Sequence, residues 1–261
     1  MTERLSIDFK DGVADVRLNR PDKLNALDQA MLEALAEAPA RLVAQPGLRA
    51  VVLSGEGRGF CAGLDMETMT GLAGAGLDIV TRTHGLANLF QQTGWGWRTL
   101  PVPVIAAGHG VVFGGGLQVF SGADIRIARP DARLSVMEMK WGLVPDMAGY
   151  ALWRGLVRDD VLRELIYTAR EFTGEQAVDL GFVTRLADDP HAEALALARE
   201  IAARNPDAVR GAKRLANLSR DSDAGAILLA EAREQAALIA TPNQVEAVMA
   251  NLQKRPPNFA D

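Results

Sequence analysis

A single cysteine, Cys61, leaves this chain of 261 residues without a partner for an intrachain disulfide and points to a reducing, cytoplasmic compartment. Histidine is scarce too: His84, His109 and His191 show no metal-ligand spacing, so no metal is expected. No apolar run approaches the ~18 residues of a membrane span, and the first residues lack the charged-then-apolar order of a secretory signal. Membrane insertion is therefore not expected. Nor is there a positive excess; a net charge of −5 speaks against general nucleic-acid binding. No repeat of roughly 20–50 residues is evident, which counts against a solenoid.

What is present is enough apolar sequence for a large core. Hydrophobic residues make up 48% and charged residues 23%, a balance suited to one domain with a small appendage. Leu5 to Phe9 and Val13 to Leu18 read as short strands around an Asp11-Gly12 turn. Asp28 can cap a helix whose apolar residues Met31, Leu32, Leu35 and Val43 fall near helical spacing. Arg49 to Ser54 carries a continuous apolar run, as in a sheet covered on both faces. Residues 66–100 are glycine-rich, with Gly71, Gly74 and Gly76 ahead of a predicted helix, and loops of this kind often carry substrate contacts. From Pro190 onward the chain reads as helices separated by Asn205-Pro206 and Thr241-Pro242, each proline at a helix start.

Two glycine clusters are the most informative stretches. They are Gly59-Phe60-Cys61-Ala62-Gly63-Leu64-Asp65 and His109-Gly110-Val111-Val112-Phe113-Gly114-Gly115-Gly116-Leu117-Gln118. The second runs from a predicted strand, Val102 to Ala107, into a predicted helix beginning near Gly115. Glycines at strand ends can leave backbone N–H groups unpaired, and two such groups aimed at one point stabilise a developing oxyanion. The helix dipole would add to the same field. Read one at a time, the clusters are also compatible with ordinary turns.

Together with Asn19-Arg20-Pro21-Asp22-Lys23-Leu24-Asn25-Ala26-Leu27, Pro103 to Ala107, Ala123 to Ala128, Glu138 to Gly149 and Phe172 to Val183, these clusters resemble the crotonase superfamily of enoyl-CoA hydratases and isomerases. The resemblance covers nearly the whole chain. It implies an α/β crotonase-like spiral of ββα units over residues 1–200 and a helical C-terminal region over 201–261 that builds a homotrimer or hexamer. Ile227, Leu228, Leu229, Leu238 and Ile239 exceed what one helix buries within its own subunit, as such a contact would require. The implied substrate is an acyl-CoA thioester, with coenzyme A as part of the substrate and no separate cofactor. By the same resemblance, the N–H groups of Leu64 and Gly115 are the oxyanion donors. Lys23, Leu24, Ala26, Ala62, Gly63, Asp65, Gly114 and Gly116 then fall in substrate- or CoA-binding positions, and Lys254 in the tail brings charge to the CoA of a neighbouring subunit. Arg20, Lys23 and Lys254 are the candidate phosphate partners.

The proton-transfer groups depart from the hydratase pattern. Family hydratases use two glutamates, matching Gln118 and Glu138 here. Glutamine cannot exchange a proton at neutral pH but can orient water or substrate. Glu138 lies between Met137 and Met139, apolar neighbours that can raise its pKa in a dry site. Asp146 is an additional acid where hydratases carry a small residue, and Gly142 and Pro145 argue against one helix joining it to Glu138. In the family's dienoyl-CoA isomerases an aspartate at this offset pairs with the glutamate, although those isomerases also carry an acid at the Gln118 position. A helix cap is the other reading of Asp146. Three functions follow: double-bond isomerisation through Glu138 and Asp146; hydration by Glu138 with water held by Gln118 or Asp146; and acyl-CoA binding without catalysis. Aryl-CoA dehalogenases of the family place a nucleophilic aspartate at the Asp146 position, but their partner tryptophan is absent at 138. The pair of acids favours isomerisation. Phe90, Trp95 and Trp97 are candidate walls for the acyl chain and equally candidates for subunit contacts or core.

Overall fold

A computed structural model describes residues 3–72 and 78–261 of the chain. Its strands are β1 (Leu5–Lys10), β2 (Val13–Leu18), β3 (Ala50–Gly55), β4 (Val104–Gly108), β5 (Val111–Phe113), β6 (Ile125–Ala128), β7 (Arg133–Ser135), β8 (Phe172–Thr173) and β9 (Arg185–Leu186). Its helices are α1 (Gln29–Val43), α2 (Met66–Leu72), α3 (Leu89–Thr99), α4 (Gly115–Ser121), α5 (Gly149–Trp153), α6 (Asp159–Thr168), α7 (Gly174–Asp179), α8 (Pro190–Ala202), α9 (Pro206–Leu218), α10 (Ala224–Leu238) and α11 (Pro242–Leu252). Gly71 falls inside α2, whereas Gly74 and Gly76 lie outside the described residues.

Six strands form one sheet in the order β1-β2-β3-β4-β6-β9, and β5-β7-β8 form a second. Within the large sheet β1 is antiparallel to β2, and the remaining pairings are parallel. Side chains of β3 alternate between two cores, as strand geometry requires. Val51 and Leu53 belong to the core that contains Met31, Leu32 and Leu35 of α1, while Ala50 and Val52 share the second core with Ala194, Ala198 and Ala202 of α8. Those alanines recur every four residues, so one narrow stripe of α8 lies close to the sheet. Val43, expected on the buried face of α1, is instead 57% exposed at the helix end.

The two sheets are linked by a spiral. Successive turns place β3, β4 and β6 in the large sheet, then Cys61, β5 and β7 beside one another in the small one: Cys61 bridges Val112, and Val112 pairs with Leu134. Leu64 and Gly115 each stand three residues past the Cys61–Val112 bridge, and Glu138 stands four past Leu134, the partner of Val112 on the third turn. The spiral therefore delivers three separate sequence motifs to one side of the molecule.

Beyond α8 the chain becomes an arm of helices. Asn205 and Thr241 cap α9 and α11 through their side chains, with proline at each helix start as the sequence indicates. No residue of α10 is buried, and Leu228, Leu229 and Ile239 are 64%, 52% and 61% exposed. The tail turns back on the core, where Arg49 donates to Phe259 O at 3.0 Å and Asn243 to Ala260 O at 3.0 Å. Among the described residues, no helix is long and apolar enough to cross a membrane.

Candidate active site

One wall of the site is backbone. Leu24 O accepts from Ala62 N at 3.0 Å, Gly63 O from Leu27 N at 2.8 Å, and Leu27 O from Asp65 N at 3.1 Å, stitching the 20–28 loop to the 59–65 ribbon. Asn25, fully buried with φ of 56°, braces the loop: its side chain accepts from Arg20 N at 2.8 Å and donates to Glu56 O and Gly59 O at 2.9 Å each. Arg20 reaches Asp65 at 2.6 Å and, largely through that bond, holds the carboxyl below its usual range. Gly114 donates its N–H to Ser135 O at 3.0 Å and turns with φ 52° and ψ −121°, a conformation open to glycine alone. Among the described residues, neither the Leu64 nor the Gly115 N–H has an internal acceptor. Both line a cavity of about 760 Å³.

The opposite wall is made of side chains. Glu138 opens a 3₁₀ turn (Glu138–Trp141) that ends at Gly142 with φ 72°, and the chain then loops through Pro145 and Asp146 to α5. Glu138 and Asp146 both line the cavity. Burial pushes the Glu138 carboxyl above its ordinary range, hydrogen bonds from backbone and from Gln118 pull it back, and the Asp146 charge pushes it up again. Its Oε2 is buried without a partner. Asp146 is solvent-exposed as a residue, yet enough protein surrounds the carboxyl that partial desolvation pushes it up as well. The cap of α5 is Ala148, in a left-handed conformation and without a side-chain bond, so Asp146 is no helix cap. Between the acids the wall is apolar: Met137, Trp141, Leu143, Val144 and Met147.

The family model for enoyl-CoA hydratase/isomerase matches residues 8–261. The chain belongs to that family, within the crotonase superfamily. It is 32% identical to the mouse mitochondrial Delta(3,5)-Delta(2,4)-dienoyl-CoA isomerase over 93% of this chain and 77% of that protein. It is 29% identical to mouse mitochondrial methylglutaconyl-CoA hydratase over 95% of this chain and 79% of that one. The crystal structure of an enoyl-CoA hydratase from Bacillus anthracis superimposes with a TM-score of 0.87 at 30% identity, covering 98% of each chain. The crotonase-like α/β architecture, with its helical C-terminal region, is thus the one the sequence motifs imply, and the protein is an enzyme.

Most positions carried over from the crotonase motifs meet at the cavity: Lys23, Ala26, Ala62, Gly63, Leu64, Asp65, Gly114, Gly115, Glu138 and Asp146 line it. Others do not. Leu24 supports the loop from behind through its carbonyl. Gly116 packs against Cys61, where a Cβ would come within 2.7 Å. Lys254 stands in the tail after α11 and is not a wall residue of its own subunit. Arg20, named as a phosphate partner, is taken up by Asp65 and Asp28. Gln118 is fully buried behind the wall and does not line the cavity; its amide bonds instead to Glu138, Met147 and Gly149. Trp97 is likewise sealed in the core, and Trp95 is not a wall residue; of the three aromatics proposed for the wall only Phe90 takes part. The apolar residues around Trp141 were missed, although their one signal, the apolar run between two acids, was in view. Cys61 sits at the bridge as packing, its thiol pushed up to about 12 by burial.

Proposed function

We propose that this enzyme moves double bonds along an unsaturated acyl-CoA, with Glu138 and Asp146 as the proton-transfer pair and the N–H groups of Leu64 and Gly115 holding the thioester oxygen. The observation that carries this reading is the juxtaposition of two carboxyls, both with raised pKa, in one largely apolar cavity. Asp146, the more solvated of the two, is the carboxylate; its charge helps to keep the proton on the more buried Glu138. The Asp146 carboxylate removes a proton beside the thioester carbonyl, and the electron pair passes to the oxygen as an enolate. The enolate then takes the Glu138 proton at a carbon farther along the chain, so the double bonds shift and no water is consumed. The pair ends with one proton, as it began.

Hydration is the second reading, since hydratases stand among the relatives. It is the weaker one, because the Gln118 amide that would hold the water is buried behind the cavity wall and bonded to protein at both ends. The proposal needs no cofactor besides the CoA that arrives with the substrate. It also takes the exposed apolar residues of α10 as the contact surface of a homotrimer, possible as a unit of a hexamer. Screening purified protein against 3,5-dienoyl-CoA, 3-enoyl-CoA and crotonyl-CoA tests the reading. A rise in conjugated-diene absorbance from the first substrate supports isomerisation; turnover of crotonyl-CoA alone contradicts it.

A further inference from the structure

The Gln118 side chain makes three hydrogen bonds, to the two segments that carry Glu138 and Asp146. Its Nε2 donates to Glu138 Oε1 at 2.6 Å, and its Oε1 accepts from Met147 N and Gly149 N at 2.8 Å each. Two backbone donors converging on one atom fix which end of the amide is oxygen; the flipped amide would oppose N–H to N–H. Gly149 permits the approach, since a Cβ there would lie 2.7 Å from Gln118 Oε1. Gln118 also stands three residues after Gly115 in α4, on the same side of the helix.

We infer that Gln118 is the positioning residue of the proton-transfer pair: one amide sets the turn that carries Asp146 and assigns the mobile proton of Glu138 to Oε2. The turn follows because Met147, the residue after Asp146, is tied to the same side chain as Glu138. The proton follows because Oε1 already accepts from Gln118, while Oε2 is buried with no partner. A glutamine performs this at every pH. An acid in its place would donate to Glu138 only when protonated and would repel it when ionised. The oxyanion donor and the clamp thereby share one short helix, so the thioester oxygen and both acids are referenced to a single rigid element.

This inference rests on Glu138 and Asp146 acting as the pair, and the test separates the two. Q118M removes all three bonds at nearly constant volume; Q118E keeps an acceptor for Met147 and Gly149 and so preserves the turn. The steady-state pH profile with 3,5-dienoyl-CoA and a ¹³C-carboxyl NMR titration of Glu138, assigned by E138Q, are measured on each full-length variant. Expected are a fall in kcat of about 100-fold with KM little changed, and movement of the alkaline limb and of the Glu138 titration to higher pH in both variants. Wild-type kcat in both variants, or a Glu138 titration that does not move in either, overturns the positioning role. Absence of isomerisation by wild type overturns the functional reading instead, and the NMR titration then decides the role of Gln118 alone.

Discussion

The two walls of the cavity are held by different means. The wall proposed to hold the thioester oxygen is a backbone construction: Leu64 and Gly115 follow adjacent turns of the spiral, and hydrogen bonds between loops set their orientation. The acid wall is a 3₁₀ turn and an irregular loop, tied to the rest through the Gln118 side chain. A backbone wall tolerates side-chain change but depends on φ and ψ at its glycines. A side-chain wall tolerates modest backbone drift but depends on the identity of a few residues. The first can be shared across many reactions on thioesters, while the second can select one of them.

Substitutions should therefore break the walls in different ways. E138Q has the largest expected effect, a loss of about a hundred- to ten-thousand-fold in kcat with CoA affinity retained, since it removes the acid and little volume; steady-state kinetics and calorimetric titration with CoA check this. G114A attacks the other wall. Its Cβ finds ordinary space, 3.6 Å from Glu138 Oε1, but the backbone at φ 52° and ψ −121° excludes a side chain. Turnover should fall about 100-fold through the displaced Gly115 N–H, and urea unfolding should show a loss of about 1–3 kcal/mol. Lys23 lines the cavity from the 20–28 loop without joining either the N–H pair or the acid pair, and K23A should raise KM roughly five- to tenfold with kcat unchanged if Lys23 meets a CoA phosphate. The smallest effect is on stability. A carboxyl whose folded pKa is raised above its unfolded value costs stability once pH exceeds the unfolded pKa, and the cost grows until pH passes the folded one. E138Q should consequently raise Tm by a few degrees at pH 8, a gain that disappears near pH 4; scanning calorimetry at the two pH values checks it.

The contrast between the walls also explains what was legible in the sequence. Glycine clusters mark backbone turns, and together with the crotonase resemblance they place Gly63, Leu64, Gly114 and Gly115 at the cavity; the buried strand at 50–53 and the capped helices at Pro206 and Pro242 are legible from local pattern alone. Side-chain partnerships between distant segments leave no local pattern. Gln118 and Glu138 are twenty residues apart and Gln118 and Gly149 thirty-one, and nothing in either neighbourhood announces the bond. The same holds for Asn25, whose role depends on Glu56 and Gly59 carbonyls. The sequence leaves Trp97 open between wall and core, because an aromatic in a helix looks the same whether it faces a cavity or the core.

The account turns on Asp146 as a chemical partner of Glu138. The direct measurement is the kcat of D146N on 3,5-dienoyl-CoA, followed by diene absorbance, beside its rate on crotonyl-CoA. The account requires a loss of at least about a hundredfold in isomerisation, because both ends of the proton path need an ionisable group. Wild type that hydrates crotonyl-CoA rapidly, with D146N leaving that rate untouched and isomerisation undiminished, would contradict it.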